Sequence, residues 1–172
     1  EVGNSGGLTI DDAKITARMV EQAGVDAITV TTYHETGEAK LHSESHTPHI
    51  DGFNLPFSRE IRKAVSIPVI ASGRVEPELG DRSIGNGDVD FIAMGRKLLA
   101  DPHLPAKLER GEREKVRPCI YCYTCISAIY MGEPGRCAIN PELGREFEPA
   151  ASAGASFCAS LGCGSTIITG YI

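Results

Sequence analysis

Four of the six cysteines in the chain stand in the pattern C-x2-C-x2-C-x11-C, at Cys119, Cys122, Cys125 and Cys137. Two-residue spacers let three neighbouring thiolates reach three corners of an iron–sulfur cubane, and a more distant cysteine closes the fourth. Zinc takes the same four sulfurs, but its sites usually present two separated cysteine pairs, whereas here three share one tight turn. The spacing therefore carries three readings: a [4Fe–4S] cluster, a zinc ion, or uncommitted thiols. The clustering itself argues against the disulfide framework of a small secreted domain.

Two Gly-Arg pairs, Gly73-Arg74 and Gly95-Arg96, offer a second kind of chemistry. Glycine lets backbone N–H groups approach an anion closely, and arginine adds a charge-assisted, bidentate contact. At the ends of consecutive strands two such pairs make a phosphate cup; taken singly, the glycines serve turns and the arginines are solvated. His34, in Tyr33-His34-Glu35 just past the first strand, is of a type that can donate a proton or hydrogen bond to a substrate, although a lone loop histidine is often merely solvated. His42, His46 and His49 lie in a Ser- and Thr-rich stretch with no regular helix to align them on a metal. Gly162-Cys163-Gly164 starts like a dinucleotide fingerprint, but the third glycine and a preceding strand are missing. Cys158 and Cys163 have no partner pattern.

The elements that must position these residues are legible in the periodicity. Thr9 with Asp12 reads as a capping box, and Ile10, Ala13, Ala17, Val20 and Ala23 recur at helical spacing up to Gly24. A β-branched strand follows at Val25–Thr31. The stretch Thr32–Leu55 reads as a long loop, Pro56–Val65 as a short helix and Ile67–Ser72 as a second strand that runs directly into Gly73-Arg74. A third helix at Pro77–Ile84 precedes a third strand, Val89–Met94, ending in Gly95-Arg96. Helical segments are predicted at Lys97–Ala100 and Leu104–Arg110. Apolar strands alternating with amphipathic helices are the pattern of a parallel sheet covered by helices, whose ligands collect at the carboxyl ends of the strands.

Composition sets limits. The 172 residues suffice for one domain and fall short of the roughly 250 of a complete (β/α)8 barrel. Seventeen Lys and Arg against 23 Asp and Glu, a formal net charge of −6, leave no basic face for nucleic acid or an anionic membrane. No apolar run approaches a membrane span and the first residues do not form a signal peptide, so a soluble, cytoplasmic protein is expected. From Glu148 the chain turns into an Ala-, Ser-, Gly- and Cys-rich tail without Lys or Arg, and is expected to lack regular structure.

In combination these stretches resemble a known family. Gly6-Gly7-Leu8-Thr9, Gly24-Val25-Asp26-Ala27, Gly52-Phe53-Asn54-Leu55-Pro56, Ile67 to Arg74, and Asp90 to Arg96 through Leu99-Ala100-Asp101-Pro102 resemble the NADH:flavin oxidoreductase (Old Yellow Enzyme) family. Arg117-Pro118-Cys119-Ile120-Tyr121-Cys122 and Cys137-Ala138-Ile139-Asn140-Pro141 resemble its iron–sulfur branch, which includes 2,4-dienoyl-CoA reductase, 2-enoate reductases and trimethylamine dehydrogenase.

The resemblance implies the last three βα units of a TIM (β/α)8 barrel followed by an iron–sulfur loop. The expected divisions are residues 1–112 for a partial FMN-binding barrel, 113–147 for the [4Fe–4S] segment and 148–172 for an unstructured tail, read as the product of a shifted reading frame. Gly73, Arg74, Gly95 and Arg96 would hold the FMN phosphate, the four cysteines the cluster, and His34 would assist substrate protonation. The implied activity is reduction of an activated C=C bond in an enoate, enone or enoyl-CoA with electrons from NAD(P)H; FAD belongs to a further nucleotide-binding region of that branch. Two residues between Cys122 and Cys125 match the amine dehydrogenase arrangement, so an amine dehydrogenase is the alternative enzyme. The non-enzymatic alternative is a stand-alone iron–sulfur or metal-stabilised domain. The fragment alone is expected to be inactive, and its oligomeric state is left open.

Overall fold

The computed structural model describes residues 6–32 and 50–147. His34, His42, His46, His49 and everything from Glu148 onward lie outside the described residues. The chain divides into two compact units, Glu1–Gly95 and Arg96–Ile172.

The first unit begins with α1 (Ile10–Gln22), started by the expected capping box. Asp12 Oδ2 accepts from the Thr9 backbone N–H at 2.8 Å and from its hydroxyl at 2.6 Å, and the Asp12 N–H donates back to Thr9 Oγ1 at 3.3 Å. The helix stops at Ala23, and Gly24 follows at φ +90°, the left-handed conformation that favours glycine after a helix. Pro56 and Pro77 sit in the first turns of α2 (Leu55–Arg62) and α3 (Pro77–Gly85), where a missing N–H breaks no helical bond.

Three strands, β1 (Ile28–Val30), β2 (Val69–Ser72) and β3 (Phe91–Ala93), pair in parallel in chain order. Ile28 is opposite Val69, Val30 opposite Ala71, Ile70 opposite Phe91 and Ser72 opposite Ala93. All three expected strands are present, and each is shorter than its apolar run. At β1 the residues after Gly24 still complete the helix end, with the Val25 N–H bonded to the Val20 carbonyl. At β3 the Asp90 N–H still donates to the Val69 carbonyl at 3.0 Å, but the Val69 N–H goes to the Asp90 carboxylate at 2.8 Å, so a side chain takes one of the backbone bonds there.

Burial alternates along β2. Val69 and Ala71 are fully buried; Ile70 and Ser72 are half-buried. On one face Ala17 of α1, Ile61 of α2, Val65 and Val69 form a cluster joined by Ile28 and Val30, and Leu55, Ala71, Val75 and Val89 form a second with Leu79 and Ile92. Enclosing a side chain such as Val69 contributes about 1.5–3 kcal/mol. The row Thr29, Ile70, Phe91 occupies the opposite face, and there Phe91 is exposed. Among the described residues, helices cover one face and leave the other open, which is what a strip of barrel wall looks like, in agreement with the expected fold.

The second unit carries α4 (Gly95–Ala100), α5 (Leu104–Glu109), a 3₁₀ turn at Arg113–Lys115 and α6 (Thr124–Tyr130). Here α4 starts two residues earlier than its predicted segment, and α6, which carries Cys125, lies where the cysteine spacing had indicated only a turn. Among the described residues, no helix is long and apolar enough to cross a membrane.

Candidate functional site

In the first unit, the carboxyl ends of β1 and β2 are laced together by polar side chains. The Thr32 hydroxyl donates to Asn54 Oδ1 at 2.7 Å, Asn54 Nδ2 donates to the Ser72 carbonyl at 2.9 Å, and the Ser72 hydroxyl donates to the Val30 carbonyl at 3.1 Å. Asn54 is completely buried, so these bonds satisfy a polar group that would otherwise be costly to enclose. Directly after Ser72, Gly73 (φ +102°) and Arg74 (φ +50°) both adopt left-handed backbone. The loop ahead of α2 braces that turn: the Gly52 N–H donates to the Arg74 carbonyl at 3.2 Å, and Asp51 Oδ1 accepts from the Glu76 N–H at 2.7 Å. At Gly52 (φ +67°) a Cβ would lie 2.6 Å from Leu79 Cδ2 and 2.7 Å from Leu55 Cδ1, so a larger residue there would displace those side-chain tips. Gly95 follows β3 closely and opens α4; its φ is not positive, so it is not needed for a turn.

In the second unit, Cys119, Cys122, Cys125 and Cys137 line one pocket together with Arg96, Leu99, Ile120, Tyr121, Tyr123 and Ile139. All four thiols are free of disulfides. Among the described residues, no three His, Cys, Asp or Glu side chains form a ligand group for a single metal ion. Burial pushes the Cys125 thiol above its ordinary pKa, and the nearby Cys119 and Cys137 add to that rise. Cys122 is more exposed and shifts the other way, chiefly because Thr124 hydrogen-bonds to it, the sulfur and Oγ1 being 3.3 Å apart.

Both arms of the motif are tied to the stretch around α4. Asp101 is completely buried. Its carboxylate accepts from Lys107 Nζ at 2.6 Å, from the Arg117 N–H at 2.9 Å and from the His103 N–H at 3.1 Å. Burial alone would raise its pKa, but Lys107 and the two N–H groups hold it below the usual carboxylate range. The bond to Arg117 fixes the chain two residues before Cys119. On the return arm, buried Asn140 donates from Nδ2 to the Leu99 carbonyl at 2.8 Å, three residues after Cys137. Gly144 (φ +78°) runs so close to Gly135 that a Cβ would strike the Gly135 carbonyl oxygen.

The structure thus brings the four cysteines to one pocket and places Gly73, Arg74 and Gly95 after adjacent parallel strands. Sequence reasoning missed Tyr121, Tyr123 and Lys97. Arg96 lies over both rings, 5.0 Å from the Tyr121 centroid and 4.9 Å from that of Tyr123, and Lys97 Nζ donates to the Tyr121 hydroxyl at 2.9 Å. The only signal available was an arginine and a lysine ahead of two tyrosines flanking Cys122, which says nothing about contact. Asn54 and Asp101 stood inside recognised stretches, but their bracing roles require the fold to be seen.

The sequence profile of the NADH:flavin oxidoreductase / NADH oxidase family matches residues 4–115. A metal reductase of Desulforamulus reducens is 38% identical over 147 residues, covering 83% of this chain and 21% of that protein. A cinnamate reductase of Clostridium sporogenes is 36% identical over 146 residues, again 83% of this chain and 21% of its own length. An aligned stretch of that coverage includes the cysteine motif wherever it begins. Among solved structures, a complex of 2-naphthoyl-CoA reductase superposes with a TM-score of 0.76 at 26% identity, over 84% of this chain and 22% of that one. The chain spans about a fifth of the length of the relatives it matches. The profile match reaches across the whole sheet and both Gly-Arg pairs, and the chain belongs to the NADH:flavin oxidoreductase / NADH oxidase family.

Proposed function

We propose that the chain supplies the phosphate-holding strand ends and the [4Fe–4S] loop of an FMN-dependent oxidoreductase that reduces an activated C=C bond in an enoate, enone or enoyl-CoA, with NAD(P)H as electron donor. The observation that carries the reading is the sharing of one pocket by Cys119, Cys122, Cys125 and Cys137. Four disulfide-free thiols in a wall completed by Leu99, Ile120 and Ile139 are the soft donor set and apolar surround that iron–sulfur clusters take. The left-handed turn at Gly73-Arg74 and the helix start at Gly95 support the phosphate part of the reading, since left-handed backbone and the first turn of a helix are places where backbone N–H groups can face an anion. The cinnamate and 2-naphthoyl-CoA reductases among the relatives favour the C=C substrate class.

When bound, FMN supplies hydride transfer and the cluster single-electron transfer. The chain's own residues would bind and orient these groups. The four cysteines would hold the cluster as thiolates, with Asp101 and Asn140 keeping both arms of the loop in place. Gly73, Arg74, Gly95 and Arg96 would hold the FMN phosphate through N–H groups and guanidinium charge. Reduction of a C=C bond adds a hydride and a proton, and His34 is the residue proposed to hold that proton beside the substrate.

Anaerobic reconstitution of the chain with iron, sulfide and FMN, read by absorption, tests the reading, because flavin bands and broad cluster absorption are separable. We expect iron and sulfide to bind with loss of the free thiol titre; an unchanged spectrum and thiol count would overturn it. Cluster uptake without any FMN affinity would favour a stand-alone iron–sulfur domain. The two-residue spacing of Cys122 and Cys125 favours an amine dehydrogenase as the second reading. Assaying an enzyme that contains this chain on enones and enoyl-CoA esters against methylated amines separates the two.

A further inference from the structure

Tyr121 and Tyr123 flank Cys122, and both have left-handed backbone, φ +53° and +63°. A bulky residue rarely adopts that conformation, and it persists only where the surroundings over-determine it. One guanidinium is common to the surroundings of both rings. Arg96 lies 5.0 Å and 4.9 Å from the two ring centroids, and each such contact is attractive, more so where water is excluded. Lys97, itself largely buried, adds the hydrogen bond to the Tyr121 hydroxyl and lies 5.4 Å from the same ring centroid. Arg96 also lines the pocket that holds the four thiols.

We propose that Arg96 is a positioning residue for the cysteine loop: clamped by Tyr121 and Tyr123, it holds the C-x2-C-x2-C turn in shape and brings a fixed positive charge to the pocket wall, raising the reduction potential of a cluster held there. Left-handed backbone on both sides of Cys122 turns the chain sharply, and the clamp bears on both of the residues that make that turn. The charge matters because a four-thiolate cluster gains negative charge on reduction, and a cation in a poorly solvated wall favours the more negative state. Stacking occupies the faces of a guanidinium, while an anion is gripped by its edges, so this role is compatible with a phosphate contact.

The inference rests on the cysteines being cluster ligands, and the experiment separates the two ideas. The chain and its Arg96→Lys, Arg96→Gln and Tyr123→Leu variants are reconstituted anaerobically. Iron, sulfide and midpoint potential are measured, with the tyrosine near-ultraviolet circular dichroism of each apo chain recorded first. Failure of the unsubstituted chain to take up iron defeats the cluster reading itself, whatever the variants do. If it takes up the cluster, we expect Arg96→Gln to shift the potential negatively and Arg96→Lys to restore most of that shift while losing the stacked dichroism. Tyr123→Leu should lose the dichroism and reduce cluster yield several-fold. Should Arg96→Gln fail to load, recovery of loading in Arg96→Lys still supports the charge, and equal failure of both overturns it. A potential and dichroism unchanged in Arg96→Gln would overturn the proposal outright.

Discussion

The two units solve the same problem, fixing a short functional segment, by different physics. In the first, Gly73-Arg74 is aimed by a sheet whose helix-facing side is closed by Ala17, Leu55, Ile61, Val65, Val69, Ala71, Val75 and Val89. In the second, the buried apolar residues among those described are Ala100, Leu104 and Ala128, and the cysteine loop is held by bonds converging on Asp101 and Asn140. Apolar burial is distributed and tolerates single losses, whereas a polar anchor concentrates the load on one side chain. Damage to the second unit should therefore be all-or-none around a few residues, and damage to the first graded.

Replacing Asp101 by alanine is the severest test of that contrast. It leaves the Arg117 and His103 N–H groups without their acceptor and the Lys107 ammonium with the Lys115 carbonyl in place of a charged partner, and removing one partner of a largely buried ion pair costs about 3–5 kcal/mol. Amide exchange at Arg117 and through the cysteine loop should accelerate accordingly; protection equal to that of the unsubstituted chain would end the comparison. The same carboxylate carries a pH signature. Because its folded pKa is depressed, its contribution is complete above the ordinary Asp value of about 3.9 and is lost as pH falls through the lower folded value.

Gly52→Ala should cost less, about 2 kcal/mol. It adds a Cβ in left-handed backbone against Leu79 and Leu55, but both obstructing atoms are tips of flexible side chains that can yield. The loss, read by urea unfolding, should fall on the first unit and leave exchange in the cysteine loop unchanged; a loss spread evenly over both units would blur the distinction drawn here.

Smallest is the acid response of Glu60. Hydrogen bonds from Lys63 and Lys14, at 2.8 and 2.9 Å, hold its pKa down to about 2. The folded value lies below the ordinary Glu value of about 4.3, so the stabilisation is present above that and fades as pH drops from about 4 toward 2. In Glu60→Gln that part of the acid limb should flatten slightly, and salt should weaken it in the unsubstituted chain, since the site is solvent-screened. A flattening insensitive to salt would count against this assignment.

How much of this was legible beforehand follows the same division. The capping box at Thr9, the helix stop at Gly24 and the three strand positions depend on local chemistry and periodicity, which a sequence displays. Strand ends were less legible because Asp90 replaces a ladder bond with its side chain, a matter of spatial proximity to Val69. Within the cysteine motif, spacing identified the thiols but concealed α6 and the left-handed tyrosines, whose backbone is set by contact with a guanidinium more than twenty positions earlier. The phosphate cup and the role of His34 concern groups that bind from outside the chain.

The alternation along β2 makes placement of the first unit's site a question of parity. A single residue inserted between Pro68 and Val69 would rotate every later side chain of the strand to the other face, sending Ile70 and Ser72 toward the helices and Ala71 away from them. The Ser72 carbonyl would then no longer meet Asn54, and Gly73-Arg74 would leave the sheet on the wrong side of it. Two inserted residues would restore the faces and merely lengthen the strand by about 7 Å. Natural length variation in this segment is thus expected in even steps, a constraint imposed by geometry before any ligand is bound.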